Sequence, residues 1–458
     1  MFTKALSKFV SETRYEDLPV DVISLAKKAI LDYTGVIMAG TRELPARIFM
    51  DFVKGKSSLQ ESTVIGGGHK TTPELAALAN GVSGRILDYD DCLDYPHAGL
   101  AHPTAPTFSA ALAVAEKYNM TGKELIAAYC VGLEAYAKSG LLLFEVSPPL
   151  GWDFSGVLGS IGAAAAVANL LKLDTNKTAM SFGIAVALTG GLSRNYGTMA
   201  GPLQTGNAAR NGIIACFLAD AGYTSYEGIF ENPGGFCSTF TGKADPPSRE
   251  SIEKVISILG NPWSIIDPGL MFKAFPCAHI SHFGADAGIS LKQKFKIDYR
   301  DIVEIELNVP SPIMHAGRLS PQNGLEARFS PVYCLCRALI DGKLKLTDFT
   351  DEKVKEPAVI ELMKKVKWRP RPPTRVGNIF EYQEVTVKLK DGSVYTCRVD
   401  HPKGEPLNPQ TDEELNLKYF ECASYAGYTN AREIRDLILN MEKLENVTLL
   451  TNMLLTPQ

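Results

Sequence analysis

What this sequence lacks narrows its function first. No uninterrupted apolar run reaches the roughly 18 residues of a membrane span, so none is expected. Basic residues are not in excess: 47 Lys and Arg stand against 51 Asp and Glu, a formal net charge of -4. That balance offers no basic face to nucleic acid and no polybasic patch to a membrane. The nine cysteines are odd in number and contain no metal-type CxxC pair. They read as free thiols of a reducing compartment, which points to the cytoplasm. The N-terminal stretch MFTKALSKFVSETRYEDLP is broken by charge and has no secretory apolar core. Gly66-Gly67-Gly68 lacks the strand and helix that would make it a nucleotide loop, so it reads as a turn. Cys334 and Cys336 fall on a predicted helix, where residues two apart face different ways, which argues against a redox or metal pair.

What is present has two textures. From Val20 to Ala221 the chain reads as successive helices: Val20–Met38, Pro73–Ile86, Ala110–Lys117, Gly122–Leu143, Gly156–Leu173, Thr175–Thr189 and Gly206–Ala221. Thr121 is a plausible N-cap for the fourth. The fifth is apolar all round, as expected of a helix at the centre of a bundle. After about residue 260 strand signals enter. Ile302–Val309 alternates with period two, and Glu384–Val399 alternates on both sides of Asp391-Gly392, the signature of a type I′ hairpin. Helices are expected at Pro331–Ile340 and Asp351–Val366, and the tail returns to helix at Asp412–Ala423 and Asn430–Leu444. The fold class is therefore mainly α: a large all-helical domain formed by residues 1–266 and 401–458, and a smaller α+β domain over 267–400. A cleft between two such domains is the default binding site.

Chemistry concentrates in a few connectors. The densest is Leu87–Pro106, LDYDDCLDYPHAGLAHPTAP, with Asp88, Asp90, Asp91, Asp94, His97 and His102 between two apolar runs. Carboxylates and histidines crowded together shift one another's pKa values, as acid–base catalysis requires. An acidic solvated loop is the plain alternative. At Asp267–Gly288, Lys273 precedes an aromatic-Pro turn and can aim a cation at an anionic substrate. His279 and His282 share a helical face there, but no Glu or Cys completes a zinc spacing, so no metal is assigned. Arg318 and Arg328 follow the predicted strand, where they could fork a carboxylate or form a structural salt bridge, Arg328 with Glu326. Met199–Arg210 has the shape of a loop running into a helix N-terminus, whose amides can hold an anion.

Six ordered segments carry a family resemblance: LDYDDCLDYPHAGLAHPTAP, SGVLGSIGAAAAVANLLKLD, GPLQTGNAARNG, KAFPCAH, NGLEARFSPVYCL and GEPLNPQTDEEL. With them the chain resembles the MmgE/PrpD family nearly end to end. The resemblance implies a helical domain with an α+β lid, a homodimer, and neither metal nor organic cofactor. It also implies a small carboxylate as substrate, with a proton moved at a carbon next to a carboxylate.

Carried over residue by residue, Asp88 matches the first acid of the family's DxDD motif, and His102 the histidine of its HP-[ST] motif. Lys273 matches the lysine before the aromatic-Pro pair. These three are the expected catalytic residues, with His102 as base or acid and Asp88 or Asp91 tuning it. His279, Asp91 and Arg318 are expected to line the substrate pocket.

Several positions depart from the pattern. Cys92 stands where threonine is usual, Asp153 and Gln204 where histidine is, Gly201 where lysine is, and His315 where the decarboxylase has tyrosine. Together Asp153 and Gly201 make the pocket up to two units more negative, which disfavours a tricarboxylate. The expectation is a cofactor-independent lyase of dehydratase type. An epimerase of an amino- or imino-dicarboxylate, a decarboxylase of the cis-aconitate type and a non-catalytic carboxylate-binding protein are its rivals.

Overall fold

A computed structural model describes residues 1–56, 58–93, 101–146, 151–310, 320–373 and 381–457. His97, Asp94, His315 and Arg318 fall outside the described residues. Among the described residues nine α-helices build the first half: α1 (Phe2–Glu12), α2 (Val20–Gly40), α3 (Leu44–Val53), α4 (Pro73–Arg85), α5 (Thr104–Lys117), α6 (Gly122–Val146), α7 (Phe154–Leu170), α8 (Thr175–Leu188) and α9 (Ala200–Asp220). A small hairpin of β1 (Ser62–Val64) and β2 (His69–Thr71) precedes α4, and α10 (Phe236–Thr241) and α11 (Arg249–Ser257) follow α9. Every residue of α7 from Ser155 to Leu170 is buried. It packs against α5, α6, α8 and α9, which is the place for a helix with no polar face.

Small residues let these helices meet at backbone distance. Where α4 crosses α9, a Cβ on Gly81 would lie 2.7 Å from the Gly206 Cα, and one on Gly206 would lie 2.4 Å from the Leu78 carbonyl. By length and composition α6 is the one described helix that could cross a membrane, and 94% of its most apolar window is buried within the fold. Its inward Glu134 and Lys138 pair at 3.3 Å, and Glu134 also accepts the backbone N–H groups of Gly260 and Ser264. A capping box opens α6, Glu124 N–H donating to Thr121 Oγ1 and Thr121 N–H to Glu124 Oε2.

The second core is smaller. Its sheet has the order β6-β5-β7-β8, formed by β5 (Ile302–Pro310), β6 (Val366–Arg371), β7 (Gln383–Leu389) and β8 (Val394–Val399). β5 and β6 are parallel and the other pairs antiparallel. Ile305, Leu307, Val385 and Val387 point into the core beneath α12 (His279–Phe295) and helix Pro331–Asp341, while Glu304, Glu306, Lys367 and Lys388 pair on the outer face. After this core, helices Asp412–Ala426, Ala431–Leu439 and Thr448–Leu454 put Tyr419, Ile434, Ile438, Leu450 and Leu454 back into the first core.

Several elements differ from the expectation. α5 and α9 each start six residues early, at Thr104 and Ala200, because Pro106 and Pro202 sit in their first turns, where proline is tolerated. Met199–Arg210 is thus mostly helix. Asp351–Val366 is not one helix: it is Asp351–Val354, then Pro357–Met363, then β6, the break coming at Pro357. The hairpin at Asp391-Gly392 is not type I′. Only Gly392 has positive φ, 88°, with Gly392 N–H donating to Leu389 O and Leu389 N–H to Ser393 O. That is a type I turn followed by a left-handed glycine.

Candidate active site

Two very short strands assemble the site. β3 (Cys92–Leu93) pairs antiparallel with β4 (Leu270–Met271), so the stretch after α4 lies beside the stretch that carries Lys273. Leu93 also bridges Ala101, with Leu93 N–H donating to Ala101 O at 2.8 Å. That bridge returns the chain so that His102 faces back toward Asp88 and Asp90. The GEPLNPQ segment clamps the far side of β4: Phe272 N–H donates to Gly404 O, and Gln410 Nε2 donates to Phe272 O.

Asp88 Oδ1 is the hub. Lys273 Nζ and Arg85 Nη1 each lie 2.6 Å from it, and Lys273 also donates to the Asp88 carbonyl at 3.0 Å. Asp88 adopts a left-handed φ of 50°, which aspartate tolerates better than most residues. His102 lies between two acids, its Nδ1 3.1 Å from Asp90 Oδ2 and its Nε2 3.5 Å from Asp88 Oδ1. All five side chains are buried.

The charges set one another. Burial alone would raise the Asp88 carboxyl, but Arg85, Lys273 and His102 outweigh it and hold it well below the usual range. Asp90 is likewise lowered: His102 and Arg85 overcome burial. Burial disfavours the Lys273 ammonium, and Asp88 more than restores it. His102 is lowered by burial and then by Arg85, against the pull of Asp90, so it is neutral at pH 7. With both acids ionised, the tautomer with its proton on Nδ1 faces the nearer acid, Asp90, at 3.1 Å, and Cys92 Sγ lies 3.6 Å from Nδ1 and 3.7 Å from Nε2. Nε2 then carries the lone pair, because Asp88 has no proton to offer it.

Asp88, Asp90 and His102 present ligand atoms within 4.8 Å of one another. The donor set is one that a divalent ion could use, but the ion would sit against two fixed cations already on Asp88. That makes it a poor cation seat.

The other expected residues divide. Asp91 points away from His102, accepts from Thr104 Oγ1 at 2.5 Å, and is raised well above the usual range by burial. Asp88 and Asp90 both face His102, at 3.5 and 3.1 Å, and Asp91 is held by Thr104. Cys92 Sγ lies 3.6 Å from His102 Nδ1, and burial keeps it a thiol. Asp153 caps α7 and is fully engaged: Ser155 N–H, Tyr196 OH and Gln204 Nε2 all donate to it. It shares a pocket with Arg85, Gly201, Tyr196 and Phe329, and Gln204 ties it to the Leu192–Asn195 turn by accepting from Leu192 N–H and Asn195 Nδ2.

The pocket's charge differs from the expectation. Burial raises Asp153 against Arg85, and Arg85 supplies a cation that the sequence reading did not count. His279 pairs with Glu405 at 2.9 Å, and His282 Nε2 lies 3.1 Å from Cys277 O, so the two rings serve different partners. Arg328 does not pair with Glu326. Its Nη1 donates to Leu87 O and Pro276 O, and its Nη2 lies 3.6 Å from Glu43.

Sequence reasoning passed over Arg85 and assigned Asp90 no role. Both had a signal: Arg85 stands three residues before Asp88 on the last turn of α4, and Asp90 is the second acid of the same motif.

Residues 4–249 match the MmgE/PrpD N-terminal domain and residues 275–443 the MmgE/PrpD C-terminal domain. The chain is 31% identical to the cis-aconitate decarboxylase of Homo sapiens, covering 95% of this chain and 91% of that one. It is 29% identical to that of Mus musculus, over 99% and 93% of the two chains. For Aspergillus terreus the identity is 28%, over 99% and 96%. On these matches, which span most of its length, the chain belongs to the MmgE/PrpD family.

Proposed function

We propose that this chain is a lyase that acts on a small carboxylic acid by removing a proton from the carbon α to a carboxylate. The observation that carries it is the buried His102, held below its usual value, with Nδ1 3.1 Å from Asp90 Oδ2 and Nε2 3.5 Å from the Asp88 oxygen that also holds Lys273 and Arg85. Nε2 takes the α-proton, and the C–H electron pair moves onto the substrate carboxylate. The two cations stabilise that charge as it forms. The pair then returns from the carboxylate to form the C=C bond as the β C–O bond breaks, and the departing hydroxide takes the proton from His102 Nε2 and leaves as water, restoring the neutral imidazole. No metal or organic cofactor enters this scheme. The nine unpaired cysteines, eight of them buried, accord with a reducing compartment.

Decarboxylation is a second reading, favoured by the names of the relatives. It would break a C–C bond, release CO2 and leave an electron pair on carbon that a protonated His102 quenches. The neutral state of His102 supports abstraction ahead of that route. Inversion by return of the proton to the opposite face is the epimerase variant, which needs a second proton-carrying group across the carbon from His102, a part that Lys273 or His279 would play.

Incubation in D2O with hydroxy-, amino- and unsaturated di- and tricarboxylic acids, followed by NMR, separates these. α-Proton exchange with a new olefin is expected. A lost carboxyl assigns decarboxylation, and inversion assigns epimerisation. No exchange with any of these acids overturns the enzyme reading in favour of a carboxylate-binding protein. His102→Ala should abolish exchange while keeping the helical circular dichroism spectrum.

A further inference from the structure

Three consecutive carbonyls in the catalytic connector each accept from a different buried cation. Arg328 Nη1 donates to Leu87 O at 3.2 Å, Lys273 Nζ to Asp88 O at 3.0 Å, and Lys418 Nζ to Tyr89 O at 2.8 Å. The cations come from distant parts of the chain: the connector before helix Pro331–Asp341, the stretch after β4, and helix Asp412–Ala426. Arg328 and Lys418 are 1% and 4% exposed, so neither is a solvated surface charge. Burying them is unfavourable unless the groups they hold must be held.

Their remaining contacts tell what they hold. Besides Leu87 O, Arg328 donates to Pro276 O at 2.9 Å, and its guanidinium lies over the Phe349 ring. One planar group thus clips the residue before Asp88 to a residue three beyond Lys273. Lys418 is anchored by Asp32 at 2.7 Å and sits 4.0 Å from the centre of the Tyr89 ring. Tyr89 in turn donates its hydroxyl to Ala274 O, the residue after Lys273. Both cations therefore tie the Asp88 side of the site to the Lys273 side, one on each flank. Asp88 needs that support, because its left-handed backbone is less stable than an extended one and has no glycine to ease it.

We propose that Arg328 and Lys418 are positioning residues that hold left-handed Asp88 in register with Lys273. Neither reaches His102 or the pocket beside Arg85, and both act through the carbonyls flanking Asp88. The kinetic part of this proposal rests on the lyase reading; the positional part does not.

The test uses the full chain with Arg328→Lys, Arg328→Met, Lys418→Arg and the double variant Asp32→Asn/Lys418→Met, which removes the buried acid along with its cation. Amide hydrogen exchange is expected to quicken about tenfold or more in residues 86–93 and 270–278 together, and not in 157–170 at the centre of the helical core. The Arg328→Lys variant, able to keep one carbonyl contact, should fall between wild type and Arg328→Met, and it serves if Arg328→Met fails to fold. In α-proton exchange, kcat should fall about tenfold or more with KM little changed, because misplacement harms the reacting geometry more than binding.

Unchanged exchange in those two segments, or a uniform rise along the whole chain, overturns the proposal. So does quickened local exchange with kcat unaltered. A wild-type chain inactive on every acid sinks the lyase reading, and hydrogen exchange still decides whether these cations hold Asp88 against Lys273.

Discussion

A histidine between two carboxylates takes its chemistry from whichever one receives its N–H. Here Asp90 is the nearer, its Oδ2 3.1 Å from His102 Nδ1, while Asp88 is already committed to Arg85 and Lys273. Asp90→Asn keeps the size and removes the charge that fixes the tautomer. It should lower kcat on the order of 10²-fold or more with little change in KM, read by steady-state kinetics on the substrate that the NMR panel identifies. Because His102 is held below its usual value, kcat/KM should rise with pH along a limb centred below about 6.5, the reference value for histidine. Asp90 is the group that opposes that lowering, so the Asn variant should move the limb lower still. A limb above that reference value would contradict the neutral-base assignment.

Stability carries the same sign. His102, His279 and His282 are all lowered, each by burial first. Below about pH 6.5 the unfolded chain binds protons that the folded chain refuses, so unfolding free energy should fall as pH drops. The slope from these groups is bounded by about 1.4 kcal/mol per pH unit for each histidine. The raised acids Asp91, Asp153 and Asp286 carry the opposite sign over the same window, so urea titrations from pH 7.5 to 5 on wild type and on His282→Gln isolate the histidine slope; a slope unchanged by the substitution would contradict the buried neutral state.

At the scale of elements, the site depends on two strands of two residues each, and such strands do not hold themselves together. β4 is kept in place by the turn around Gly404, whose φ is 101° and whose added Cβ would lie 2.0 Å from the Phe272 carbonyl. Gly404→Ala must therefore both strain the backbone and push on the residue next to Lys273. A loss of at least about 2 kcal/mol is expected in denaturant unfolding, with a further loss of kcat at temperatures where the variant is still folded.

This also explains what the sequence could and could not reveal. The helix Ala431–Leu439 was legible because burial on one face, at Ala431, Ile434 and Ile438, imposes a helical period, and β5 because its burial alternates. β6 was not: it follows a helix without a glycine or a long turn, and its burial pattern is mostly half-exposed. β3 and β4 are too short to have any period. Asp88, His102 and Lys273 were legible through motif and family pattern. Arg85 and Asp90 lay in plain view, but their roles come from a hub geometry that only the β3–β4 pairing creates. Arg328 and Lys418 were beyond reach in another sense, since they bind carbonyls, which leave no trace in side-chain chemistry.

For the whole molecule, the order of the chain matters more than its two textures suggest. The first core is not complete until the chain has left it, built the sheet with α12 and returned. Leu415, Tyr419, Ile434, Met441, Val447 and Leu454 fill the same apolar cluster as α1 to α9. The tail also satisfies backbone groups far upstream: Gly66 N–H donates to Leu454 O, Gly68 N–H to Leu455 O, and Gly122 N–H to Leu444 O. Removing the tail would strip these partners and expose a large apolar face, and it would free Tyr89 O and Asp32 from Lys418. A chain ending at Asp400 should therefore not reach the native helical core. It should be recovered in inclusion bodies or as a form that binds a hydrophobic dye. Residues 401–458 supplied as a separate chain should restore soluble protein, because what the tail provides is contact and not connectivity. A truncated chain that is soluble, melts cooperatively and binds no dye would show that the first core closes without it. The clamp on β4 and the hold on Tyr89 would then have to be counted as additions to a finished domain.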